Sequence, residues 1–261
     1  MFGISWRSYW IVPVFSGCVW LGMLLGMFLW WVIDTHKAIL PPENTRPGET
    51  IPYISDVGAH ELQPLFIAGG TTTVVTFTTV FVAERWLRHK NRLAGNTSWL
   101  QKILSILSII AALVGMIGMI ILTCQNDLYH DRTHDICLGL FIGGYIVSAI
   151  FICWEYQRLG IHYRQHRIIR ISFWIKLAFI FIEVGLVIAF GVTAYKDHYT
   201  AAAVCEWTVS LIYTLYVWSF ALDFWPAFSN SQVVKENGEV EMGQTAEMAA
   251  QNDNGRSGYA Y

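Results

Sequence analysis

The chain has 261 residues, 54% of them hydrophobic. Only 14% are charged, against about 25% in an ordinary soluble domain. The charges cluster between long apolar runs, which excludes a soluble catalytic domain and leaves a membrane-embedded chain. The net charge of −2 carries little information, because the regional asymmetry of Lys and Arg matters more. The apolar runs do not alternate as barrel strands would, and lipid cannot satisfy a bare backbone, so the spans are expected to be helices.

The first run, 10–33, lacks a small-residue cleavage site and reads as a retained helix rather than a signal peptide. A proline-rich stretch, 34–61, follows with Pro41, Pro42, Pro47 and Pro52. Further spans are predicted over 62–83, 102–123, 136–155, 171–195 and 202–222. Each is long enough to cross a ~30 Å hydrocarbon layer at 1.5 Å per residue. Trp225-Pro226 marks the end of the last one. The expected fold is all-α: an integral membrane bundle of six transmembrane helices in residues 1–228, then a disordered polar, acidic cytosolic tail over 229–261. That tail carries Glu236, Glu239, Glu241, Glu247 and Asp253 against Lys235 and Arg256.

Orientation follows from basic residues. Arg7, Arg85, Arg88, Lys90, Arg92, Lys102, Arg158, Arg164, Arg167 and Arg170 fall on one side, and Lys37, Arg46, Arg132 and Lys196 on the other. The richer side is assigned to the cytosol, so both termini are expected there. Asn96-Thr97-Ser98 matches a glycosylation acceptor pattern on that same side. The pattern is short, and the charge count outweighs it. Whether Asn96 carries a glycan stays open.

Helix association in lipid needs close contact or polar bonds. Cys18, Gly22 and Gly26 on the first span, and Gly139 and Gly143 on the fourth, form small-residue ridges. Gly69, Gly70, Thr71, Thr72, Thr73, Thr76, Thr78 and Thr79 suggest an inward face on the second. Glu183 lies near the middle of the fifth span, where an ionised carboxylate is costly, so it should be protonated, paired or facing water. Its expected role is an interhelical bond, with the second-span threonines as partners, or a lipid or proton site. Lys176, seven residues away, is about 10 Å along the helix and can instead snorkel to the cytosolic surface.

The external surface gathers Asp56, His60 and Glu61, then Asp127, His130, Asp131, His134 and Asp135. His130 and His134 have the spacing of helical metal ligands, but the zinc-protease pattern is incomplete and no metal is expected. A disulfide between Cys124 and Cys137 is allowed on that side, with Cys205 as rival partner. Cys18 and Cys153 read as packing residues. Arg158, Arg164, Arg167 and Arg170 are placed to touch anionic lipid, or simply to set topology. No nucleophile elbow, P-loop or dinucleotide fingerprint is present. No catalytic residues, no cofactors and no nucleic-acid partner are expected.

The stretch Pro52-Tyr53-Ile54-Ser55-Asp56-Val57-Gly58 resembles the hallmark of the Frag/DRAM/Sfk family. Pro13, His134-Asp135, Glu206-Trp207, Phe220 and Asp223-Phe224 fit the same pattern, over roughly residues 8–226. The resemblance is nearest the suppressor-of-four-kinase type, which has no attached catalytic domain. It implies a six-helix membrane protein with cytosolic ends. It also implies a role in recruiting a phosphatidylinositol 4-kinase complex to the plasma membrane and in lipid asymmetry. Other branches imply GPI-anchor lipid remodelling in the Golgi or ER, or autophagy modulation at the vacuole or lysosome. A scramblase or transporter is a further alternative. Asp56 and Gly58 are turn formers able to cap the second span. Alternatively Asp56, His60, Glu61, His134 and Glu206 would meet around a lipid headgroup, with Ser55 and Trp207 completing the hallmark.

Overall fold

A computed structural model describes residues 8–39, 46–59, 61–90, 93, 98–125, 127–162 and 167–224, without the side chains of 127–131, 162 and 167. The tail, Asn96, His60, Arg164 and the side chains of Asp127, His130, Asp131 and Arg167 lie outside that description. The chain is all-helical, with no strand among the described residues. Its elements are α1 (Ile11–Ile33), α2 (Ile54–Gly58), α3 (Gln63–His89), α4 (Trp99–Cys124), α5 (Asp127–His162), α6 (Arg167–Tyr195) and α7 (Tyr199–Ser219). A helical turn at 221–224 continues α7. Six of these helices are long and apolar enough to cross a membrane, and the chain is an integral membrane protein. Each of the six long helices pairs its backbone polar groups along its own axis, which is what lipid demands.

Five of the six long helices outrun the apolar windows that announced them, and α1 matches its window to one residue. Hydropathy falls where charges gather, whereas helical hydrogen bonding continues through Glu84, Arg88 and Arg158. Local chemistry sets several starts. Pro64 opens α3 in the first turn, where a missing N–H costs no helix bond. Ser98 caps α4: the Leu100 amide donates to its Oγ at 3.2 Å, and its own amide donates to Gln101 Oε1 at 3.1 Å. Ser98 of the acceptor pattern thus has a structural use.

Between the helices lies an aromatic core. Phe77 of α3 stacks edge-on against Tyr213, Tyr216 and Phe220, and Tyr145 of α5 joins them at 5.6 Å from Phe77. The outer faces carry exposed Phe181, Ile188 and Trp174, as lipid-facing surfaces do. The apolar window of α6 has no residue buried in the bundle, so that helix leans on α5 and α7 from outside.

The closest helix crossing joins α4 to α5. A Cβ placed on Gly144 would lie 2.6 Å from the Gly115 nitrogen and 2.8 Å from the Ala111 carbonyl oxygen. Gly118 meets the Cys137 carbonyl oxygen in the same way, at 2.9 Å. Small residues admit this backbone contact. The expected ridge of Gly139 and Gly143 faces open space instead, as does Gly22. Gly69 and Gly70 do pack closely, against Met23 and Met119. The threonines of α3 are split between faces. Thr73 and Thr78 are buried and Thr79 is exposed. Thr76 and Thr79 donate back to their own helix, at 2.6 Å to the Thr72 and Thr76 carbonyls.

Candidate functional site

The segment between α1 and α3 folds back over the bundle and is clamped to the start of α7. Its chain enters with Arg46, whose guanidinium lies 3.1 Å from Asp56 Oδ2 and 3.7 Å from Glu49 Oε1. The same guanidinium sits 4.7 Å over the Tyr53 ring and 5.8 Å over the Tyr199 ring, a cation–π arrangement. The Tyr53 amide donates to Asp56 Oδ2 at 3.1 Å. That bond closes the first turn of α2, where a carboxylate also suits the helix N-terminus. The Ile54 amide donates to Glu206 Oε2 at 2.8 Å, and Trp207 Nε1 donates to the Pro52 carbonyl at 3.0 Å. Thr50 and Thr200 add a third tie: the Thr50 amide donates to Thr200 Oγ1 at 2.9 Å, and that hydroxyl donates to the Gly48 carbonyl at 3.0 Å.

The sequence therefore folds locally into a five-residue helix held by side chains distant along the chain. Gly58 closes it. A Cβ there would fall 2.6 Å from Phe66 Cδ1 and 3.1 Å from Met27 Cε, so glycine lets the segment settle onto α1 and α3. Burial raises the Glu49 carboxyl above the ordinary glutamate range, with Arg46 opposing. Burial also works against the Arg46 charge, but Asp56 and Glu49 outweigh it and hold the guanidinium more firmly protonated. Burial pushes the Tyr53 phenol upward, again opposed by Arg46.

Of the hallmark residues, Asp56, Gly58, Glu206 and Trp207 meet in this clamp, with Ser55 half-buried within it. Glu61 is exposed at the lip of α3. His134 is buried on α5 with Nδ1 unpartnered. Sequence reasoning counted Arg46 for topology alone and did not see Glu49 or Tyr53 as partners. An arginine amid acids in the proline-rich loop was the available signal. Cys124 and Cys137 are not bridged: both are free, one exposed and the other buried. The allowed disulfide is therefore not formed in this structure. Cys205 is free as well, and Cys18 is exposed rather than packed. Among the described residues no cluster of three or more His, Cys, Asp or Glu is placed for a metal.

The intramembrane pair also departs from expectation. Lys176 does not snorkel and does not reach Glu183. It is fully buried, and its Nζ donates to Asp223 Oδ2 at 2.6 Å and to Ser172 Oγ at 2.7 Å. Ser172 in turn donates to Asp223 Oδ1. A carboxylate at the end of α7 makes a direct ion pair available, which outcompetes a stretched route to the surface. Beside it Arg88 lies 2.6 Å from Glu84 Oε1 and 3.9 Å from Glu155 Oε1. Tyr156 donates to Glu84 at 2.6 Å, and its ring lies 5.0 Å from Lys176 Nζ. Four helices are thus tied by charge near the end that bears Arg158 and Arg170, both exposed. Glu183 instead lines a cavity of about 60 Å³ with Trp20, Tyr145, Ser210, Tyr213 and Tyr216. Its Oε1 has no hydrogen-bond partner, and no bond to the α3 threonines is made. The space suits water and is too small for a lipid chain.

A sequence profile described as the Frag1/DRAM/Sfk1/Cwh43P N-terminal domain matches residues 8–227. Protein sfk1 of Schizosaccharomyces pombe (strain 972 / ATCC 24843) is 26% identical over 227 residues, 85% of this chain and 66% of that protein. The chain spans just under two thirds of that relative's length. No solved structure matches.

Proposed function

The chain belongs to the Frag1/DRAM/Sfk1/Cwh43P N-terminal-domain family, and from that premise we propose that it is a non-enzymatic multi-pass regulator of plasma-membrane phosphoinositide kinase recruitment and lipid organisation. The use made of Asp56 and Glu206 supports this reading: both carboxylates hold Arg46 or backbone amides, as parts of a frame. Their distribution differs from a pair of acids set to act on a bond. In the proposed orientation the clamp faces the exterior. The opposite end presents exposed Arg158 and Arg170 to anionic cytosolic lipid, each contributing ~1 kcal/mol. A phosphatidylinositol 4-kinase complex is the proposed partner there.

The test is the location of a tagged chain, scored with a plasma-membrane phosphoinositide probe in wild-type and deletion cells. Plasma-membrane residence with a reduced probe signal on deletion is the expected result. Golgi or ER residence with an unchanged signal overturns it and favours GPI-lipid remodelling. That second reading draws on one observation, the buried His134 imidazole with Nδ1 unpartnered. It predicts that GPI-anchored proteins are altered on deletion.

A further inference from the structure

A groove of about 590 Å³ runs between α1 and α7 beneath the clamp, on the outer face of the bundle. Its walls are Phe28, Trp31, Val204, Trp207 and Leu211, and Lys37 lies at its mouth. From Val204 to Leu211 the wall extends about 10 Å along α7. Phe28 packs edge-on against both Trp31 and Trp207, with centroids 5.8 and 5.7 Å apart. The Trp207 indole is committed to Pro52, so this wall is held in place by the clamp itself. A volume of this size falls in the ~300–1,000 Å³ range of ligand sites.

The mouth is built at a conformational cost. His36 and Lys37 both have positive φ, 51° and 64°, a left-handed conformation that costs a non-glycine residue about 1–2 kcal/mol. Trp31 holds this turn from both sides. Its carbonyl accepts from the Lys37 amide at 3.1 Å, and its Nε1 donates to the Ala38 carbonyl at 2.9 Å. The turn brings Lys37 to the groove four residues past the end of α1. Asp34 precedes it in the same turn, yet no ion pair engages Lys37 among the described residues. The polar groups on the wall are otherwise used: Thr208 donates to the Val204 carbonyl at 2.7 Å and Thr50 is bonded to Thr200. Strain of this kind concentrates where a side chain must be aimed.

We propose that this groove binds a phospholipid of the leaflet at the clamp end, its phosphate against Lys37 and one acyl chain between α1 and α7. A cation at the interface complements the phosphate, and the aromatic channel below it complements the chain. A partner helix would need no cation at this depth. The proposal rests on the lipid-organising part of the proposed function and names the site for it. It is independent of where in the cell the chain resides.

The test uses the full chain in phosphatidylcholine nanodiscs containing a phosphatidylserine with a diazirine on its acyl chain, with labelled peptides mapped by mass spectrometry. Label concentrated on the α1 and α7 peptides that bear Phe28 and Leu211 is expected. Lys37→Gln should lower that label about five-fold, the worth of one cation at a lipid surface. Val204→Trp, which fills the groove, should abolish it, and Lys196→Gln, an exposed lysine at the same end, should leave it unchanged. Label spread evenly over all outer helix faces overturns the proposal. So does label indifferent to Lys37→Gln and Val204→Trp. The phosphoinositide-probe assay is read separately, so either idea can fail alone.

Discussion

Polar side chains serve opposite regimes at the two ends of the bundle. At the clamp, Arg46, Glu49, Tyr53 and Asp56 come from one stretch of eleven residues; both carboxylates are covered, and Arg46 alone keeps 29% of its side chain in solvent. At the other end Glu84, Arg88, Glu155, Lys176 and Asp223 come from four separate helices and are nearly all covered. Charges that retain water cost little to place and add little to stability. Buried ones have lost their hydration, and only partners in good geometry offset that loss. Set in one loop around a half-solvated cation, the clamp should give way locally, and the network that ties four helices globally.

The sharpest way to break this contrast is Lys176→Met. It leaves Asp223 buried without its ammonium partner, and loss of one member of a buried pair costs about 3–5 kcal/mol. Thermal unfolding of the purified chain should show a large fall in Tm, much of it restored by the double variant Lys176→Met/Asp223→Leu. No recovery in the double variant would mean that the network acts through more than this pair. Gly144→Leu comes next. It forces side-chain atoms into the Gly115 backbone, and overpacking of this sort costs about 1–3 kcal/mol. Gly143→Leu, which faces open space, should be tolerated in the same assay.

Asp56→Asn tests the clamp. It weakens the bonds to Arg46 and to the Tyr53 amide, for about 1–2 kcal/mol. Protease cleavage between Arg46 and Gly58 should rise while global Tm barely moves. A global collapse would erase the distinction between the two ends. The smallest effect is on pH. The Glu49 carboxyl is raised in the folded state, from an ordinary 4.5, so folding favours its protonated form. That contribution is present below 4.5 and is lost as pH rises through the raised value. Loop protection should therefore decline across the window just above 4.5, and Glu49→Gln should flatten the decline.

Six spans, their order and the all-α class were legible in the sequence, because a run of apolar residues long enough to cross lipid has one stable conformation there. Outside α1, boundaries fell short at one or both ends, most of all in α3 and α5, since hydropathy falls where charges gather and helices continue through them. The clamp was half legible. Asp56, Glu206 and Trp207 stood out, but α2 was hidden, because five residues among prolines carry no periodicity. Gly139 and Gly143 marked the right helix and the wrong face. Gly144, one residue on, points about 100° away and makes the crossing. Glu183 was recognised as an intramembrane polar residue, yet its neighbours were misassigned.

The sequence by itself determined that this chain lives in a membrane and how often it crosses. Burial of the backbone in lipid is a local requirement that each segment meets alone. Tertiary structure decided which polar groups found each other: Lys176 with Asp223, Arg46 with Asp56, Ile54 with Glu206, and Lys37 with a groove walled by α7. Those pairings span 10 to more than 170 residues. They depend on which helix faces meet, and no one-dimensional pattern of residue types encodes that.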